Sequence, residues 1–290
     1  MVIGQEWPGV RGKRVILTGG TNGIGLAGAR QLAELGAELT IVGRSAQRAR
    51  EATASIGRPV DVLLADLSAQ ADVRRLAEQI LERYPRVDVL INNAGAMFGA
   101  RQVSVDGIEL TWAVNHLAPF LLTNLLLTRL EASAPARVIT TASAAHYRAT
   151  LPFDDLQAER ERWGLGFRRY GETKLANVLF TRELARRLAG TQVTANCFHP
   201  GFVRTGFNHD NGVLIGLGMQ VAHLVARRPE KGAETLVWLA DSPLVSAMSG
   251  AYFMDRRERT PSAAARDAQA AKRLWQVSEE EVSSAGNPLP

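Results

Sequence analysis

The feature that most constrains the fold is a regular alternation, along most of the chain, of short apolar runs with longer segments of helical period. The short runs are rich in Val, Ile and Leu and have the length of buried strands. In the longer segments, apolar residues recur every three or four positions. This pattern is typical of consecutive βαβ units, so the sequence predicts an α/β fold with a doubly wound parallel sheet and helices on both faces.

About seven strands are predicted. They are Arg14 to Leu17, Leu39 to Val42, Val60 to Leu64, Val87 to Ile91, Arg137 to Thr141, Thr191 to Cys197 and Ala251 to Met254. The clearest predicted helices are Leu26 to Leu35, Asp72 to Arg83, Gly107 to Leu130 and Gly171 to Ala189. Neither a linker nor an internal repeat divides the sequence, so one domain is predicted over residues 1–290. Residues 144–166 and 202–229 fit the alternation poorly and are predicted to be substrate loops.

Composition and charge argue against several classes of protein. With 46% hydrophobic and 22% charged residues, the chain has the profile of a globular protein. The net charge is +5, but the arginines are scattered, so no nucleic-acid partner is predicted. No apolar run has the length of a membrane span or signal peptide, and the single cysteine, Cys197, cannot form an internal disulfide. These features predict a cytoplasmic protein without a membrane span. The five histidines lack metal-ligand spacing, so no metal is predicted.

A glycine-rich turn, TGGTNGIG, follows the first predicted strand and opens a helix. Glycines allow the backbone to approach a pyrophosphate closely, and the N-terminus of a helix stabilises its negative charge. The turn therefore predicts a dinucleotide site, with an ordinary tight turn as the alternative. The predicted contacts in this turn are Gly19, Thr21, Asn22, Gly23 and Ile24.

The residues after the second predicted strand bear on the choice between NADP and NAD. An acidic side chain here would bind the ribose hydroxyls, whereas a cation pairs with a 2′-phosphate. The chain has Arg44 and Ser45 at this place and no Asp or Glu. A guanidinium suits a phosphate well, so NADP(H) is predicted and NAD(H) is the alternative. Arg44 could instead cap a surface turn.

Six motifs stand in one order along the chain: TGGTNGIG, Asn92-Asn93-Ala94-Gly95, Asn115, Ser143, Tyr170-Gly171-Glu172-Thr173-Lys174 and His199-Pro200-Gly201. From about residue 10 to residue 280, this series resembles the classical short-chain dehydrogenase/reductase family. Further stretches are similar to its retinol-dehydrogenase-like branch: VNHLAPFLLTNLLL, FDDLQ, KLANVLFTREL and RLWQVSEE. The 27-position gap from Ser143 to Tyr170 also resembles that branch. The resemblance implies a single-domain Rossmann fold and oxidoreductase activity.

Tyr170 and Lys174 lie four positions apart, so on a helix they project from one face. A nearby ammonium would lower the pKa of a tyrosine, which is ordinarily near 10. The resemblance implies that Tyr170 is the general acid/base and that Lys174 orients the nicotinamide ribose. It also implies that Ser143 hydrogen-bonds the substrate oxygen and that Asn115 holds a water in a proton relay.

The resemblance implies further cofactor contacts. These are Asp66 and Leu67 at the adenine, Asn92, Ala94 and Gly95 beside the adenosine, and Pro200, Gly201, Val203 and Thr205 over the nicotinamide. Asn22 stands where many NADP-preferring members carry Arg or Lys, so the prediction of NADP depends mainly on Arg44.

Apolar residues near the predicted loops indicate a roomy substrate pocket. They are Met97, Phe98, Phe153, Trp163, Phe202, Phe207 and the run from Val213 to Met219. The predicted reaction interconverts a hydrophobic ketone or aldehyde and its alcohol. One alternative is a non-catalytic protein that senses NADPH, and another is an epimerase or dehydratase. By family analogy, a homodimer or homotetramer is predicted, formed through the helices Gly107 to Leu130 and Gly171 to Ala189.

Overall fold

The computed structural model describes residues 7–160, 163–203 and 227–283. Most of the predicted substrate loop at 202–229 lies outside these ranges. The same is true of Thr205, Phe207 and the run from Val213 to Met219, all of which the sequence assigned to the cofactor or substrate site.

The described strands form one sheet of eight, in the order β3-β2-β1-β4-β5-β6-β7-β8. Their bounds are β1 Arg14–Thr18, β2 Glu38–Gly43, β3 Asp61–Leu64, β4 Val89–Asn92, β5 Ala136–Thr141, β6 Val193–His199, β7 Tyr252–Met254 and β8 Arg257–Arg259. The first seven strands pair in parallel, and β8 pairs antiparallel with β7. The predicted parallel sheet of about seven strands is confirmed.

The sequence did not predict β8. Its three residues, Arg257–Arg259, are all exposed and charged, so they carry no apolar pattern. The hairpin turns at Asp255 and Arg256, which have φ values of 52° and 58°. Such a turn favours Asn-Gly or Asp-Gly pairs, and Asp-Arg gives no comparable signal.

The helices pack on both faces of the sheet. They are α1 Gly23–Glu34, α2 Ala46–Ile56, α3 Gln70–Arg83, α4 Leu110–Trp112, α5 Ala118–Leu125, α6 Leu127–Ala132, α7 Phe167–Arg187, α8 Pro229–Asp241 and α9 Ala268–Ser283. One apolar core lies between the sheet and α3, α5, α7 and α9, and the other lies between the sheet and α1, α2 and α8. Alternate residues of β1 belong to different cores: Ile16 to the first, Val15 and Leu17 to the second.

The predicted helix from Gly107 to Leu130 is broken into segments. A π-helical turn, Ala113–Leu117, joins α4 to α5. Pro119 follows at the second position of α5, and proline has no N–H to donate to the carbonyl of Asn115 one turn earlier. The interruption therefore falls at a residue that the sequence assigned to catalysis.

α9 packs against α7, and its Trp275 ring also contacts α5. The ring of Trp275 packs 4.9 Å from Phe120 and 5.9 Å from Phe180, between ring centres. His116 Nε2 is 2.8 Å from Ser278 Oγ. The helices through which association was predicted thus pack against a helix of their own chain.

Candidate active site

A cleft of about 1150 Å³ opens at the carboxyl ends of the parallel strands, where β1 and β4 are neighbours and the strand order reverses. This crevice is the usual ligand site of an open α/β sheet. Most of the predicted site residues line it: Gly19, Thr21, Asn22, Gly23, Ile24, Arg44, Ser45, Asp66, Leu67, Ala94, Gly95, Ser143, Tyr170, Lys174, Pro200, Gly201 and Val203. Asn92 and Asn115 lie behind its walls, and Thr205 is outside the described residues.

The glycine-rich turn brings the backbone close to the cleft. Gly19 has a φ of +68°, and a Cβ there would lie 2.9 Å from Ala94 Cα. A Cβ on Gly25 would lie 2.0 Å from the carbonyl oxygen of Gly19. The first N–H groups of α1 have no partner within the helix, and Asn22, its N-cap, makes no side-chain cap hydrogen bond. These donors and the dipole of the helix fit the pyrophosphate of a dinucleotide.

Asn92, a predicted cofactor contact, is not among the described residues that line the cleft. Its side chain is buried, and its Nδ2 donates to Thr123 Oγ1 at 2.9 Å, which ties β4 to α5. The next residue, Asn93, is the one that lines the cleft, and its Nδ2 donates to the carbonyl oxygen of Thr18 at 3.0 Å. Asn92 therefore supports the cleft wall from behind.

The end of the cleft beside the carboxyl end of β2 carries two exposed arginines. Arg44 follows β2, and Arg48 lies in the first turn of α2. Ser45 is the N-cap of α2, and its Oγ accepts a hydrogen bond from the backbone N–H of Arg48 at 3.3 Å. Arg44 was predicted from the sequence, and Arg48 was not. The four-residue spacing, across the start of a helix, was the signal that could have revealed it.

Tyr170 and Lys174 both project from α7 into the cleft, as their spacing predicts. Lys174 is buried, its Nζ lies 5.4 Å from the centre of the Tyr170 ring, and it donates to the carbonyl oxygen of Thr141 at 3.1 Å. The Tyr170 hydroxyl is hydrogen-bonded to Ser143. Side chains from α7 and from the end of β5 therefore meet at one point of the cleft.

The pKa of Tyr170 is raised, whereas the sequence predicted that it would be lowered. Burial raises it to about 12, and the hydrogen bond to Ser143 only partly offsets this effect. The pKa of Lys174 is lowered to about 8, also by burial. Desolvation penalises the charged form of each group, and it is the largest cause of both shifts.

Asn115 is buried in the π-helical turn and holds two segments together. Its Oδ1 accepts from the backbone N–H of Ala96 at 2.7 Å, and its Nδ2 donates to the carbonyl oxygen of Ala96 at 2.8 Å. The same Nδ2 donates to Thr173 Oγ1 at 3.0 Å. The side chain thus joins the loop after β4 to α7, between Tyr170 and Lys174.

A buried ion-pair network anchors the insertion before Tyr170. Arg169 Nε donates to Glu109 Oε2 at 2.6 Å, and its Nη1 lies 3.3 Å from Glu172 Oε2. Gln157, in the insertion, donates to Glu281 Oε1 at 2.5 Å. Gln157 also accepts from the backbone N–H of Glu109 at 2.8 Å. No motif predicted this network, because its members are far apart in the chain.

The predicted apolar pocket is only partly correct. Met97, Phe98 and Phe202 line the cleft. Phe153 instead packs beneath Arg273, 4.4 Å from the guanidinium carbon, and Trp163 Nε1 donates to the carbonyl oxygen of Phe98 at 2.8 Å. Phe167, Arg148 and Arg168 also line the cleft, and the sequence analysis did not name them.

Within residues 7–160, 163–203 and 227–283, no three His, Cys, Asp or Glu side chains converge as metal ligands would. In the same ranges, no helix has both the length and the apolar composition needed to cross a membrane.

Comparisons with known proteins agree with the fold and the cleft. Residues 13–152 match the family described as short chain dehydrogenase. The chain is 39% identical to human retinol dehydrogenase 14, over 94% of this chain and 87% of that protein. It is also 39% identical to a Streptomyces sp. (strain C5) protein provisionally named daunorubicin C-13 ketoreductase DnrU, over 95% and 94% of the two chains. A short chain dehydrogenase from Burkholderia cenocepacia, solved in complex with NADP, superposes with a TM-score of 0.67 at 26% identity, covering 89% of this chain and 99% of that one.

A doubly wound sheet, a glycine-rich turn at its switch point and a Tyr-Lys pair in the same cleft define a nicotinamide-dependent oxidoreductase. The chain belongs to the short-chain dehydrogenase/reductase family. Within that family it belongs to the retinol-dehydrogenase-like branch.

Proposed function

We propose that this protein is an NADP(H)-dependent carbonyl reductase or alcohol dehydrogenase that acts on a hydrophobic ketone or aldehyde and its alcohol. The observation that carries the proposal is the meeting of Tyr170, Ser143 and Lys174 in one cleft with the glycine-rich turn. A bound nicotinamide would supply or accept the hydride. Tyr170, Lys174 and Ser143 handle the oxygen and its proton.

In the reducing direction, Tyr170 donates its phenolic proton to the carbonyl oxygen as the carbon is reduced. Ser143 donates a hydrogen bond to the same oxygen and acts as a neutral oxyanion donor. Lys174 binds the nicotinamide ribose. Pro119 has no N–H, so the carbonyl of Asn115 receives no α-helical hydrogen bond from it and can hold a water. Burial raises the pKa of Tyr170 to about 12 in the cofactor-free protein, so at neutral pH the phenol carries the proton that it donates in this direction.

Several features support NADP over NAD. Arg44 and Arg48 both line the adenosine end of the cleft, and both are exposed. Two guanidinium groups at one end would pair with a 2′-phosphate, whereas an NAD site uses a carboxylate there. We assign the remaining contacts of the cofactor to the cleft residues as predicted, with Asn93 in place of Asn92. The contact assigned to Thr205 stays a prediction.

The apolar residues Met97, Phe98, Phe167 and Phe202 support a hydrophobic substrate. The relatives named as retinol dehydrogenase and as a ketoreductase act, by those names, on a hydrophobic alcohol and on a ketone. Substrate identity within this class would come from a panel of hydrophobic ketones and alcohols, followed by the absorbance of NADPH.

The NADPH-sensing alternative predicts a site that has lost part of its chemistry. Tyr170, Ser143, Lys174 and Asn115 are all present, and the first three line the cleft. We therefore favour the enzyme. We also propose that residues 1–290 form one cofactor-binding domain, that the protein is cytoplasmic, as its single buried cysteine suggests, and that it forms a homodimer or homotetramer. The face of α7 that packs against α9 is not available to such an assembly.

Replacement of the catalytic phenol tests the proposal. Tyr170→Phe keeps the ring and removes the hydroxyl, so we expect turnover to fall by about 10³-fold while NADPH still binds with nearly unchanged affinity. The measurements are kcat from NADPH absorbance and Kd from NADPH fluorescence.

The matched control is Tyr84→Phe, which removes a hydroxyl that donates to Asp61 Oδ2 at 2.9 Å, near the start of β3 and away from the cleft. It should keep turnover within about threefold of the wild type. A Tyr170→Phe protein that retains full turnover would contradict the assignment.

A further inference from the structure

Ser143 is held by contacts on both its side chain and its backbone. It begins a 3₁₀ turn, Ala144–Arg148, and its Oγ accepts from the backbone N–H of Ala145 at 3.2 Å. Its carbonyl oxygen lies 2.6 Å from Nδ1 of His146, three residues later. His146 is fully buried, so this contact is shielded from water.

The second nitrogen of the His146 ring determines where the proton lies. Nε2 is 3.2 Å from the backbone nitrogen of Ser262, in the segment that follows β8. A backbone N–H can only donate, so Nε2 must accept. The proton of the neutral ring therefore lies on Nδ1, which donates to the carbonyl of Ser143.

The surroundings of the ring favour this neutral, fixed state. The rings of Tyr147 and Tyr252 pack 4.1 and 4.8 Å from the ring of His146, between ring centres. Burial also lowers the pKa of His146 below its ordinary value. The ring thus bridges Ser143 to a segment more than 100 residues away, and its orientation is determined at both nitrogens.

We propose that His146 is a positioning residue for the reaction: by donating to the carbonyl of Ser143, it holds the Ser143 hydroxyl at the place where it meets Tyr170 and the substrate oxygen. This inference rests on the proposed function and adds to it a residue that does not touch the substrate. A hydrogen-bond donor displaced by a fraction of an ångström stabilises the developing charge less well, so the loss should appear in kcat.

Two substitutions separate the two bonds of the ring. The amide of His146→Asn can replace Nδ1 and donate to Ser143, but it is too short to reach Ser262. The longer side chain of His146→Gln can replace Nε2 and accept from Ser262, but it loses the bond to Ser143. We expect kcat of the Asn variant to stay within about threefold of the wild type, and that of the Gln variant to fall by about 30-fold, with similar KM values for the ketone.

A double-mutant cycle distinguishes positioning from a general structural effect. Ser143→Ala alone should lower kcat by on the order of 10²-fold. In that background, His146→Gln should cause no further loss, because His146 acts through Ser143. If Gln lowers kcat by the same factor in both backgrounds, or if Asn and Gln behave alike, the proposal is overturned.

The outcomes separate this inference from the proposed function. A Ser143→Ala protein with unchanged kcat would remove the role of Ser143 itself, and this inference with it. A measurement that needs no turnover is the nitrogen NMR spectrum of histidine-labelled protein, with His146 assigned from its absence in the Asn variant. We expect a neutral ring protonated at Nδ1, and a proton found on Nε2 would overturn the proposal.

Discussion

The two ends of the cleft are built differently. At the adenosine end, Arg44 and Arg48 are exposed, and the glycine-rich turn presents backbone groups. At the catalytic end, Lys174 and Asn115 are buried, and each is hydrogen-bonded to another segment of the chain. Solvated charges bind a charged ligand at little cost to the free energy of folding. A buried charge lowers the stability of the folded protein, and the catalytic end contains one because its chemistry requires it.

The largest expected effect comes from removing the buried charge. Lys174→Met keeps much of the volume, and Asn177 Nδ2 still donates to the carbonyl of Thr141 at 3.2 Å. We expect turnover to fall by on the order of 10³-fold. The cofactor-free protein should become more stable at pH 7, by on the order of 3 kcal/mol, since the pKa of Lys174 is lowered to about 8. Urea unfolding and kcat are the measurements.

The control for this prediction is the pH dependence of the stability difference between Lys174→Met and the wild type. Below about pH 8 the lysine is protonated in both states, so the cost of its buried charge is present in full. Between pH 8 and pH 10.5, the ordinary pKa of a lysine, Lys174 loses its proton in the folded protein and keeps it in the unfolded chain. The wild type therefore gains stability across this range. The difference between variant and wild type should shrink across this range. A difference that does not change with pH would contradict the assigned cause.

The same contrast explains what the sequence could predict. The glycine-rich turn, Arg44, and the Tyr170 and Lys174 pair are short local patterns, and each indicates its chemistry directly. The contacts of the catalytic end join residues far apart in the chain: Asn115 to Thr173, His146 to Ser262, and Gln157 to Glu281. Such pairs have no local signal, because only the folded chain brings them together.

Three of the misses have more specific physical reasons. Asn92 and Asn93 are adjacent, and the end of β4 decides which of them faces the cleft, so a motif read as letters could not separate them. The interruption at Asn115 was readable in principle, because Pro119 removes an α-helical donor. The reversed pKa of Tyr170 depends on burial, which composition and spacing do not report.

A smaller effect is expected at the exposed end. Arg44→Ser and Arg48→Ser should each lower kcat/KM for NADPH by about 10- to 100-fold and change the value for NADH little, since each removes a charge-assisted contact to the 2′-phosphate. The effect should weaken as salt rises, because both side chains are exposed. The measurement is the ratio of kcat/KM for the two cofactors at low and at high salt.

Arg50→Ser is the matched control for these variants. Arg50 is exposed on the same helix, and it is not among the described residues that line the cleft. Arg50→Ser should leave the ratio of kcat/KM for NADPH to that for NADH unchanged. Equal losses for NADPH and NADH in the Arg44→Ser protein would mean that this arginine binds a group common to both cofactors, and the NADP assignment would lose its main support.

The smallest expected effect concerns Ser45, which lies between the two arginines. Its Oγ caps α2 by accepting from the N–H of Arg48, so Ser45→Ala should lower the free energy of unfolding by about 1 kcal/mol. Ser55→Ala, in the last turn of the same helix, is the comparison, and it should cost less because Ser55 caps nothing. If Ser45 also touches the 2′-phosphate, its loss would raise KM for NADPH well beyond that for NADH. A cap alone would raise KM for NADPH only slightly, because it acts on Arg48 only through the first turn of α2, and it would leave KM for NADH unchanged.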